Sequence, residues 1–485
     1  MIGAPGGWRR AAAVGSVVAM AAQVVVGSVW WVLNLTATPA YGDTVEYLTL
    51  ARTLRVDTYR TILYPLLLRG TESLAARLHL MLQPVLYVGQ TLVAYLALCL
   101  ITTTLWQVTA RSQRWRWMTA VSAMRRRMLL SAAALVLLTT PLTLHFATAI
   151  LTDSLATSLV VAGLAGVIRI AVLRQTSLLV VASTLVLLAA AELMRPEKIF
   201  VLVPVIAVAL IATLVVRRLR WVERGIVLLL VAVVPAIAVH SIDAATQTAD
   251  YGRPKLTVSV LLLQRTTWPR LEAIRPLLPA DVQAVITPAV AHQYDTGLNV
   301  QGQLAILLRN AAGGSDRLIN ETVDTALRCC WPQIAGATAW DTVQYGGAPL
   351  LFLVQWFGPG PNDTTYAITR MNAAHPSLTA IYLWVWLTVT LLGQLPLAVY
   401  AAVRARLRFA RDTAATLGLV LLAVLFNSAL FAFETAQPVN IRYGLPSYLL
   451  LLGCLLWAAL AGMSMLLRLP LGAHTEVRAA TAHPG

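Results

Sequence analysis

The chain has 485 residues, of which 58% are hydrophobic, and its mean hydropathy is +0.72. This composition is typical of a protein that crosses a membrane many times, and it excludes an ordinary water-soluble domain. The net charge is +16 at pH 7, which would suit a nucleic-acid-binding protein if the basic residues formed one patch. They are instead distributed by membrane side, so we expect no nucleic-acid partner.

Ten long apolar stretches predict an all-α polytopic membrane protein with about ten transmembrane helices, since about 20 helical residues cross a bilayer core. Backbone groups in lipid must form hydrogen bonds within the protein, and long uninterrupted apolar runs satisfy this requirement as helices rather than as barrel strands. The predicted spans are 11–33, 84–108, 128–146, 150–170, 177–194, 199–216, 225–242, 378–402, 413–433 and 445–467.

The distribution of arginine predicts the orientation of these spans. Six connecting and terminal segments contain 20 arginines, neither of the two lysines and few acidic residues, whereas the rest of the chain is nearly neutral. The positive-inside rule assigns the basic segments and both termini to the cytoplasm. We therefore predict a multi-pass protein of the plasma membrane, the inner membrane of a bacterium, whose active site is extracytoplasmic. The basic segments are 1–10, 109–127, 169–175, 217–224, 404–411 and 468–485.

The spans divide the chain into an N-terminal membrane module, 1–242, and a C-terminal membrane module, 378–467, followed by a cytoplasmic tail, 468–485. Two outer segments are too long to be simple connectors. The first, 34–83, carries the predicted catalytic loop. The second, 243–377, is large enough to form an extracytoplasmic domain of mostly helical or mixed structure.

Two local features of this outer domain allow specific expectations. An amphipathic pattern over 318–335 predicts a helix that ends near Pro332. The neighbouring Cys329 and Cys330 are not expected to form a disulfide, because a bridge between adjacent residues would be strained.

The first polar cluster on the outer side contains Asp43 and Glu46 and begins a short amphipathic helix. A carboxylate held at the membrane surface suits a general base that takes the proton from an attacking sugar hydroxyl. The same spacing is typical of a capping box at a helix N-terminus, and the two roles are compatible. Arg60 and Tyr64 follow as candidate substrate contacts.

A second carboxylate, Asp153, lies at the predicted tip of the hairpin between the third and fourth spans. Together with Glu46 it is a candidate for orienting the acceptor, and together with Asp43 for holding a divalent cation, Mg²⁺ or Mn²⁺. The competing interpretation is that Thr152 or Asp153 only caps the following helix.

Four residues are candidates for binding a donor phosphate: Arg195, Lys198, Arg442 and Tyr443. Charge-assisted hydrogen bonds from cationic side chains stabilise both a bound phosphate and a departing one. Long cationic side chains also extend to the interface at helix ends, where tyrosine is common, without any function. Positive charge on the outer side runs against the topological trend and favours a functional role.

In chain order, these clusters resemble the motifs of the GT-C superfamily of polyprenyl-phosphate-dependent membrane glycosyltransferases. The resemblance is closest to the branch of protein mannosyltransferases and lipid A aminoarabinose transferases. One departure is that Glu46 follows Asp43 at a distance of three residues, where protein mannosyltransferases have two adjacent acids. The matching elements are the loop acid Asp43, the Tyr-Pro-Leu-Leu run at 64–67, Thr-Asp-Ser at 152–154, Arg-Pro at 195–196 and Arg-Tyr-x-x-Pro at 442–446.

The resemblance implies a GT-C-like fold and an inverting transfer of a sugar from a polyprenyl phosphate to a hydroxyl of a glycan, lipid or protein. Asp43 would be the general base, and no cofactor beyond the divalent cation is implied. The main alternative is a transporter or flippase of a lipid or lipid-linked glycan. Transporters usually place ionisable residues near the bilayer midplane, whereas here the charges concentrate at span ends.

Overall fold

The structure is a computed structural model of the full chain. The elements below lie within the residues that it describes: 7–37, 42–54, 61–111, 121–195, 199–215, 220–246, 258–268, 270–296, 303–350, 352, 375–405, 411–434 and 442–466.

The described residues form helices and connecting turns, with no β-strand among them. This confirms the prediction of an all-α membrane protein. The helices are α1 (Gly7–Leu33), α2 (Gly42–Thr53), α3 (Leu63–Arg77), α4 (Leu82–Ala110), α5 (Ala123–Leu138), α6 (Pro141–Ala147), α7 (Asp153–Ala171), α8 (Leu178–Met194), α9 (Ile199–Val215), α10 (Arg220–Thr246), α11 (Val258–Thr267), α12 (Leu271–Ile274), α13 (Ala280–Val285), α14 (Pro288–Thr296), α15 (Gln303–Ala311), α16 (Arg317–Gly346), α17 (Pro376–Thr388), α18 (Leu395–Ala405), α19 (Arg411–Glu434) and α20 (Leu445–Leu466).

Seven of the described helices are long and apolar enough to cross a membrane, or eight if one bent pair counts as a single span. The sequence predicts ten crossings. The difference arises partly because α8 and α9 have 17 residues each, which is at the lower limit of the roughly 17–25 residues that span a bilayer. The seven are Ala11–Leu33, Leu82–Ala110, Asp153–Ala171, Glu223–Ile242, Pro376–Val403, Arg411–Ala432 and Leu445–Leu466.

The bent pair replaces the continuous span predicted over 128–146. The axes of α5 and α6 differ by 78°, and the break falls at Thr139 and Thr140. Pro141 is the cause of the break, since proline lacks the N–H that a continuing helix needs and is tolerated in a first helical turn. The carbonyl of Leu137 would accept from the backbone N–H of residue 141 in a continuous helix; it accepts from the Thr140 hydroxyl at 2.9 Å instead, so part of the interrupted backbone bonding is replaced.

The most buried of these spans is α7, with 83% of its apolar window inside the protein. It packs between α4 and α8. Gly166 allows the close approach to α8, because a Cβ at this position would collide with the Thr184 side chain. Small residues permit such contacts between membrane helices. α7 therefore begins in the interior of the bundle, and Asp153, its first residue, is buried there.

The predicted amphipathic helix after the first span is confirmed as α2. Its buried side includes Thr44, Tyr47, Leu50 and Ala51, spaced at three to four residues, whereas Val45 is exposed. This spacing gives one apolar face per helix. The face packs on α3, and Thr44 and Tyr47 form hydrogen bonds with Ile150 and Thr152 in the turn that precedes α7, so the first turn of α2 is held over the end of the bundle.

The insert between the two membrane modules, residues 243–377, has its own hydrophobic core, formed by α11 to α16. Its longest element, α16, consists of two helices that meet at a non-helical residue, Cys330, so the first of them ends near Pro332 as predicted. The second continues to Gly346, and at the kink between them Cys330 has a φ of −134° and a ψ of 16°. Pro332 clashes with the preceding turn and bends the helix, but it also suits the first turn of the segment that follows. The expectation that Cys329 and Cys330 form no disulfide is wrong, since they are bonded to each other.

The insert is attached to the membrane bundle through α16, which packs along α19. Near its C-terminal end, the ring of Tyr345 lies 6.3 Å from that of Phe431. Further along the chain, the Phe352 ring lies 5.5 Å from that of Trp386 and 6.1 Å from that of Tyr448. Tyr345 and Phe352 of the insert thus pack against α17, α19 and α20.

Candidate active site at one end of the bundle

Asp153 lies at the first residue of α7, and its side chain is 1% exposed. Arg195 Nη1 donates to Oδ1 of this carboxylate, and Arg442 Nε donates to Oδ2 at 2.6 Å. Thr152 is the N-cap residue but forms no side-chain capping bond. Because two arginines hold both carboxylate oxygens, Asp153 does more than cap a helix.

Arg442 joins the two predicted acidic clusters. Besides its bond to Asp153, its Nη2 lies 2.7 Å from Oδ2 of Asp43. Burial lowers the pKa of Arg442, but the nearby Asp153, Tyr443 and Asp43 outweigh that effect and raise it. The guanidinium therefore stays charged while it bridges two carboxylates that are far apart in the sequence.

The two carboxylates differ in accessibility. The Asp43 side chain is 28% exposed, whereas that of Asp153 is 1% exposed. Both arginine side chains are nearly buried, at 9% for Arg195 and 10% for Arg442. A ligand approaching from outside thus meets Asp43 first, with the other three groups behind it.

Tyr443 provides an aromatic surface beside both arginines. The Cζ atom of Arg195 lies 5.0 Å from the centre of its ring, and that of Arg442 lies 5.5 Å from it. On its other side the ring is stacked on Phe431, with centroids 4.9 Å apart. Cation–π contacts of this kind fix the planes of the guanidinium groups.

Hydrogen bonds from α2 hold Asp43 in place. The Thr44 hydroxyl donates to the carbonyl of Ile150 at 3.3 Å, and the Tyr47 hydroxyl lies 3.2 Å from Oγ1 of Thr152. Sequence reasoning did not identify these contacts, nor the role of Phe431. Their only sequence signal is the three-residue spacing of Thr44 and Tyr47, which places both on the buried face of α2.

Tyr64, predicted as a substrate contact, is fully buried. Its ring packs edge-on against that of Tyr47, with centroids 4.9 Å apart, and its hydroxyl has no hydrogen-bond partner in the described part of the chain. Burial raises the pKa of Tyr64, and Tyr47, Tyr87 and Asp153 raise it further. Tyr64 therefore keeps its proton, and it packs against Tyr47 in the interior instead of facing a ligand.

The remaining predicted residues are placed less centrally. Glu46 lies one turn after Asp43 on α2 and is partly exposed. Arg60 and Lys198 lie outside the described residues. The structure thus brings together Asp43, Asp153, Arg195, Arg442 and Tyr443, and it leaves the roles of Arg60, Lys198 and Glu46 as predictions.

The arrangement does not fit the divalent cation that the sequence suggested between Asp43 and Asp153. Arg442 occupies the position between the two carboxylates, and both oxygens of Asp153 accept from arginines. Among the described residues, no group of three or more histidine, cysteine, aspartate or glutamate side chains is placed to hold a metal ion. We therefore derive no step through a metal.

This cluster combines a partly exposed carboxylate with two nearly buried guanidinium groups and an aromatic ring. Such a set can accept a proton at one point and hold an anion at a neighbouring point. Comparison with models of known protein families, with curated proteins and with solved structures finds no match to this chain.

Proposed function

We propose that this protein is a membrane glycosyltransferase that moves a sugar from a polyprenyl-phosphate donor to an acceptor hydroxyl, with inversion at the anomeric carbon. The observation that supports the proposal most strongly is the cluster of Asp43, Asp153, Arg195 and Arg442. These residues come from three widely separated parts of the chain and meet at the start of α7, the most buried span. The proposed reaction needs both a base and a phosphate-binding group, and this cluster contains both kinds of side chain.

The proposed architecture is GT-C-like, with ten crossings, of which α8 and α9 are two short ones. Both termini lie in the cytoplasm of a bacterial cell, and the cluster faces the outside of the plasma membrane. The arginine distribution along the sequence supports this orientation. A cysteine placed at Val45, which is exposed, should react with a membrane-impermeant maleimide added outside intact cells.

Asp43 is the proposed general base, because it is the accessible carboxylate of the cluster. It takes the proton from the acceptor hydroxyl while the oxygen forms a bond to the anomeric carbon. The bond from that carbon to the phosphate oxygen breaks, and the electron pair leaves with the polyprenyl phosphate. The acceptor is a hydroxyl of a glycan, a lipid or a protein, and the chemistry is the same for each.

Donor binding would change the partner of Arg442. Its Nη2 lies on Asp43 in the present structure, and a donor phosphate would compete for the same guanidinium. Removal of the cation from Asp43 makes its carboxylate a better proton acceptor. Arg442 and Arg195 would then stabilise the departing phosphate, while the buried Asp153 keeps both arginines in position.

The test is release of polyprenyl phosphate from a panel of polyprenyl-phosphate sugars by the purified protein in lipid nanodiscs. We expect release with one donor, and a decrease of about 100-fold or more in Asp43→Asn, as for the loss of a general base. Asp324→Asn is the matched control, because it removes an exposed carboxylate of the insert whose side chain is 66% exposed.

Release by Asp43→Asn at the wild-type rate would show that Asp43 is not the base. Absence of release from every donor, with the protein folded and both acceptor-containing membranes and purified lipids supplied, would contradict the transferase proposal.

A transporter or flippase is the second candidate, and one observation favours it. At the opposite end of the bundle, α4, α5, α18, α19 and α20 surround an apolar cavity of about 390 Å³, which is large enough for part of a lipid chain. A flippase would move a fluorescent lipid-linked glycan across the bilayer without releasing lipid phosphate. That activity would persist in a variant that cannot transfer sugar.

A further inference from the structure

A second group of unusual polar side chains lies in the insert, away from the Asp43 cluster. Each of the four residues Gln264, Arg265, Trp268 and Arg270 has a buried side-chain N–H nitrogen with no acceptor: Nε2, Nη2, Nε1 and Nη1, respectively. In the part of the chain that the structure describes, every buried side-chain nitrogen without an acceptor belongs to this group. Buried polar groups in native proteins are nearly always satisfied, so an orphaned set of this kind indicates a missing partner.

The positions of the four residues bring them close together. Gln264 and Arg265 lie on the last turns of α11, and Trp268 follows one helical turn later, with its backbone N–H bonded to the carbonyl of Gln264. Residues four apart on a helix share a face. Arg270 is an electrostatic neighbour of Arg265: burial lowers the pKa of Arg270, and the positive charge of Arg265 lowers it further.

The rest of Arg265 is fixed in place. Its side chain is 4% exposed, its Nη1 lies 2.6 Å from Asp341 Oδ2 and its Nε donates to Thr338 Oγ1 at 2.7 Å. These bonds orient the remaining nitrogen, Nη2, which has no acceptor. A guanidinium that is held by its own ion pair and still presents a desolvated donor is preorganised for a ligand.

The acidic residues near Arg270 do not supply the missing acceptors. Asp295 is the nearest carboxylate that favours its charge, but its two oxygens accept from the backbone N–H groups of Leu271 and Glu272, each at 2.9 Å. That carboxylate caps α12. All four orphaned atoms are donors, so the ligand that satisfies them must be rich in acceptor oxygens, and two neighbouring guanidinium groups favour an anion.

We propose that Gln264, Arg265, Trp268 and Arg270 form a binding site for a saccharide that carries an oxyanion, either a phosphate or a carboxylate. The guanidinium groups bind the oxyanion, Gln264 donates to a sugar oxygen and the indole of Trp268 combines a donor with an aromatic surface. Such amphipathic rings are well suited to ligands with one polar and one apolar side.

The site is connected to the Asp43 cluster through α16. Asp341, which pairs with Arg265, lies one turn before Tyr345, and Tyr345 contacts Phe431, on which Tyr443 is stacked. If the proposed transferase function is correct, the anionic saccharide is the acceptor, bound by the insert with its hydroxyl directed toward Asp43. This part of the inference rests on the proposed function, whereas the binding itself does not.

The experiment measures binding of three probes to the full-length protein in nanodiscs by isothermal titration calorimetry: glucose 6-phosphate, glucuronate and neutral glucose. The phosphate and carboxylate probes distinguish the two kinds of oxyanion. We expect at least one anionic probe to bind more tightly than glucose. Loss of a hydrogen bond to a charged group should weaken that binding about tenfold or more in Arg270→Gln.

Two further variants keep the test decisive if Arg270→Gln is poorly folded. Trp268→Phe removes one donor and keeps the ring, and it should weaken the anionic probe by severalfold. The matched controls are Arg328→Gln and Trp331→Phe, at exposed positions of the same insert, and both should bind as the wild type does.

The proposal is overturned if Arg270→Gln and Trp268→Phe bind the probes as the wild type does, if glucose binds as tightly as the anionic probes, or if Arg328→Gln loses as much affinity as Arg270→Gln. Asp43→Asn should keep probe binding. Probe binding that depends on Arg270 and Trp268, in a protein that releases no polyprenyl phosphate, would refute the transferase and leave this site standing.

Discussion

The ion pairs at the start of α7 and those on the surface of the insert use the same residue types but differ in burial. Arg195 and Asp153 have side chains that are 9% and 1% exposed, whereas those of Arg328 and Asp324 are 82% and 66% exposed. Exposed pairs contribute about 0–1 kcal/mol to stability, because water and salt screen them. Buried pairs are not strongly stabilising as a whole, but removal of one partner leaves an uncompensated charge away from water.

Under the proposed function, the buried cluster has a role beyond stability. A set of apolar side chains would pack the start of α7 without the cost of desolvating four charged groups. The bundle instead holds two carboxylates and two guanidinium groups there, with one carboxylate open to the outside. The surface pairs of the insert carry no comparable cost and need no functional explanation.

The largest effect is expected from Asp153→Asn. The substitution keeps the shape of the side chain but leaves Arg195 and Arg442 without their shared buried anion, which should lower the free energy of unfolding by about 3–5 kcal/mol. Thermal unfolding in one detergent measures this change. Asp324→Asn, at an exposed pair, should change stability by at most about 1 kcal/mol. Equal losses in the two variants would show that burial does not separate these pairs.

A smaller effect is expected from Tyr443→Ala. It removes the stack on Phe431 and the ring beside Arg195 and Arg442, and together these contacts should contribute about 2 kcal/mol. Tyr443→Phe keeps the ring and should unfold within about 0.5 kcal/mol of the wild type, as substitutions away from special features do. If the phenylalanine variant is as unstable as the alanine variant, the hydroxyl rather than the ring makes the important contact.

The smallest effect concerns acid sensitivity of the insert. The hydrogen bond from Arg317 lowers the pKa of Asp281 below its ordinary value of 3.8. The folded protein therefore holds this proton less tightly than the unfolded chain, so the stabilisation is present above pH 3.8 and is lost as the pH falls through the lower, folded-state pKa. As the pH falls from 5 to below the folded-state pKa of Asp281, the free energy of unfolding should therefore decrease slightly less in Asp281→Asn than in the wild type. A steeper loss in the variant, followed by thermal unfolding, would reverse the assigned direction.

The sequence allowed much of the membrane part to be predicted. Apolar runs identified the long spans, and the segment after Asp43 was predicted to be a short helix, which is α2. The motifs at 43, 153, 195 and 442 were assigned to one side because each lies next to the end of a span. Such features depend on local composition and helical periodicity, which a single sequence contains.

Other features were beyond the sequence for physical reasons. The predicted span over 128–146 breaks at Pro141, and α16 continues past Pro332. Proline can interrupt a helix or begin its next segment, and the surrounding packing decides between the two. The acceptor-free donors at Gln264, Arg265, Trp268 and Arg270 have no distinctive spacing in the sequence. They became distinctive once their burial and the engagement of Asp295 and Asp341 were known.

By itself the sequence determined that this is a helical membrane protein, and its arginine distribution predicts which side is cytoplasmic, because hydropathy and charge act locally along a chain. Only the tertiary structure decided that Arg442 bridges Asp43 and Asp153. Arg442 and Asp153 are 289 residues apart in the chain. It also decided that one of these carboxylates is buried and the other accessible. Pairing and burial depend on which helices pack together, and that is set by the whole fold rather than by any one segment.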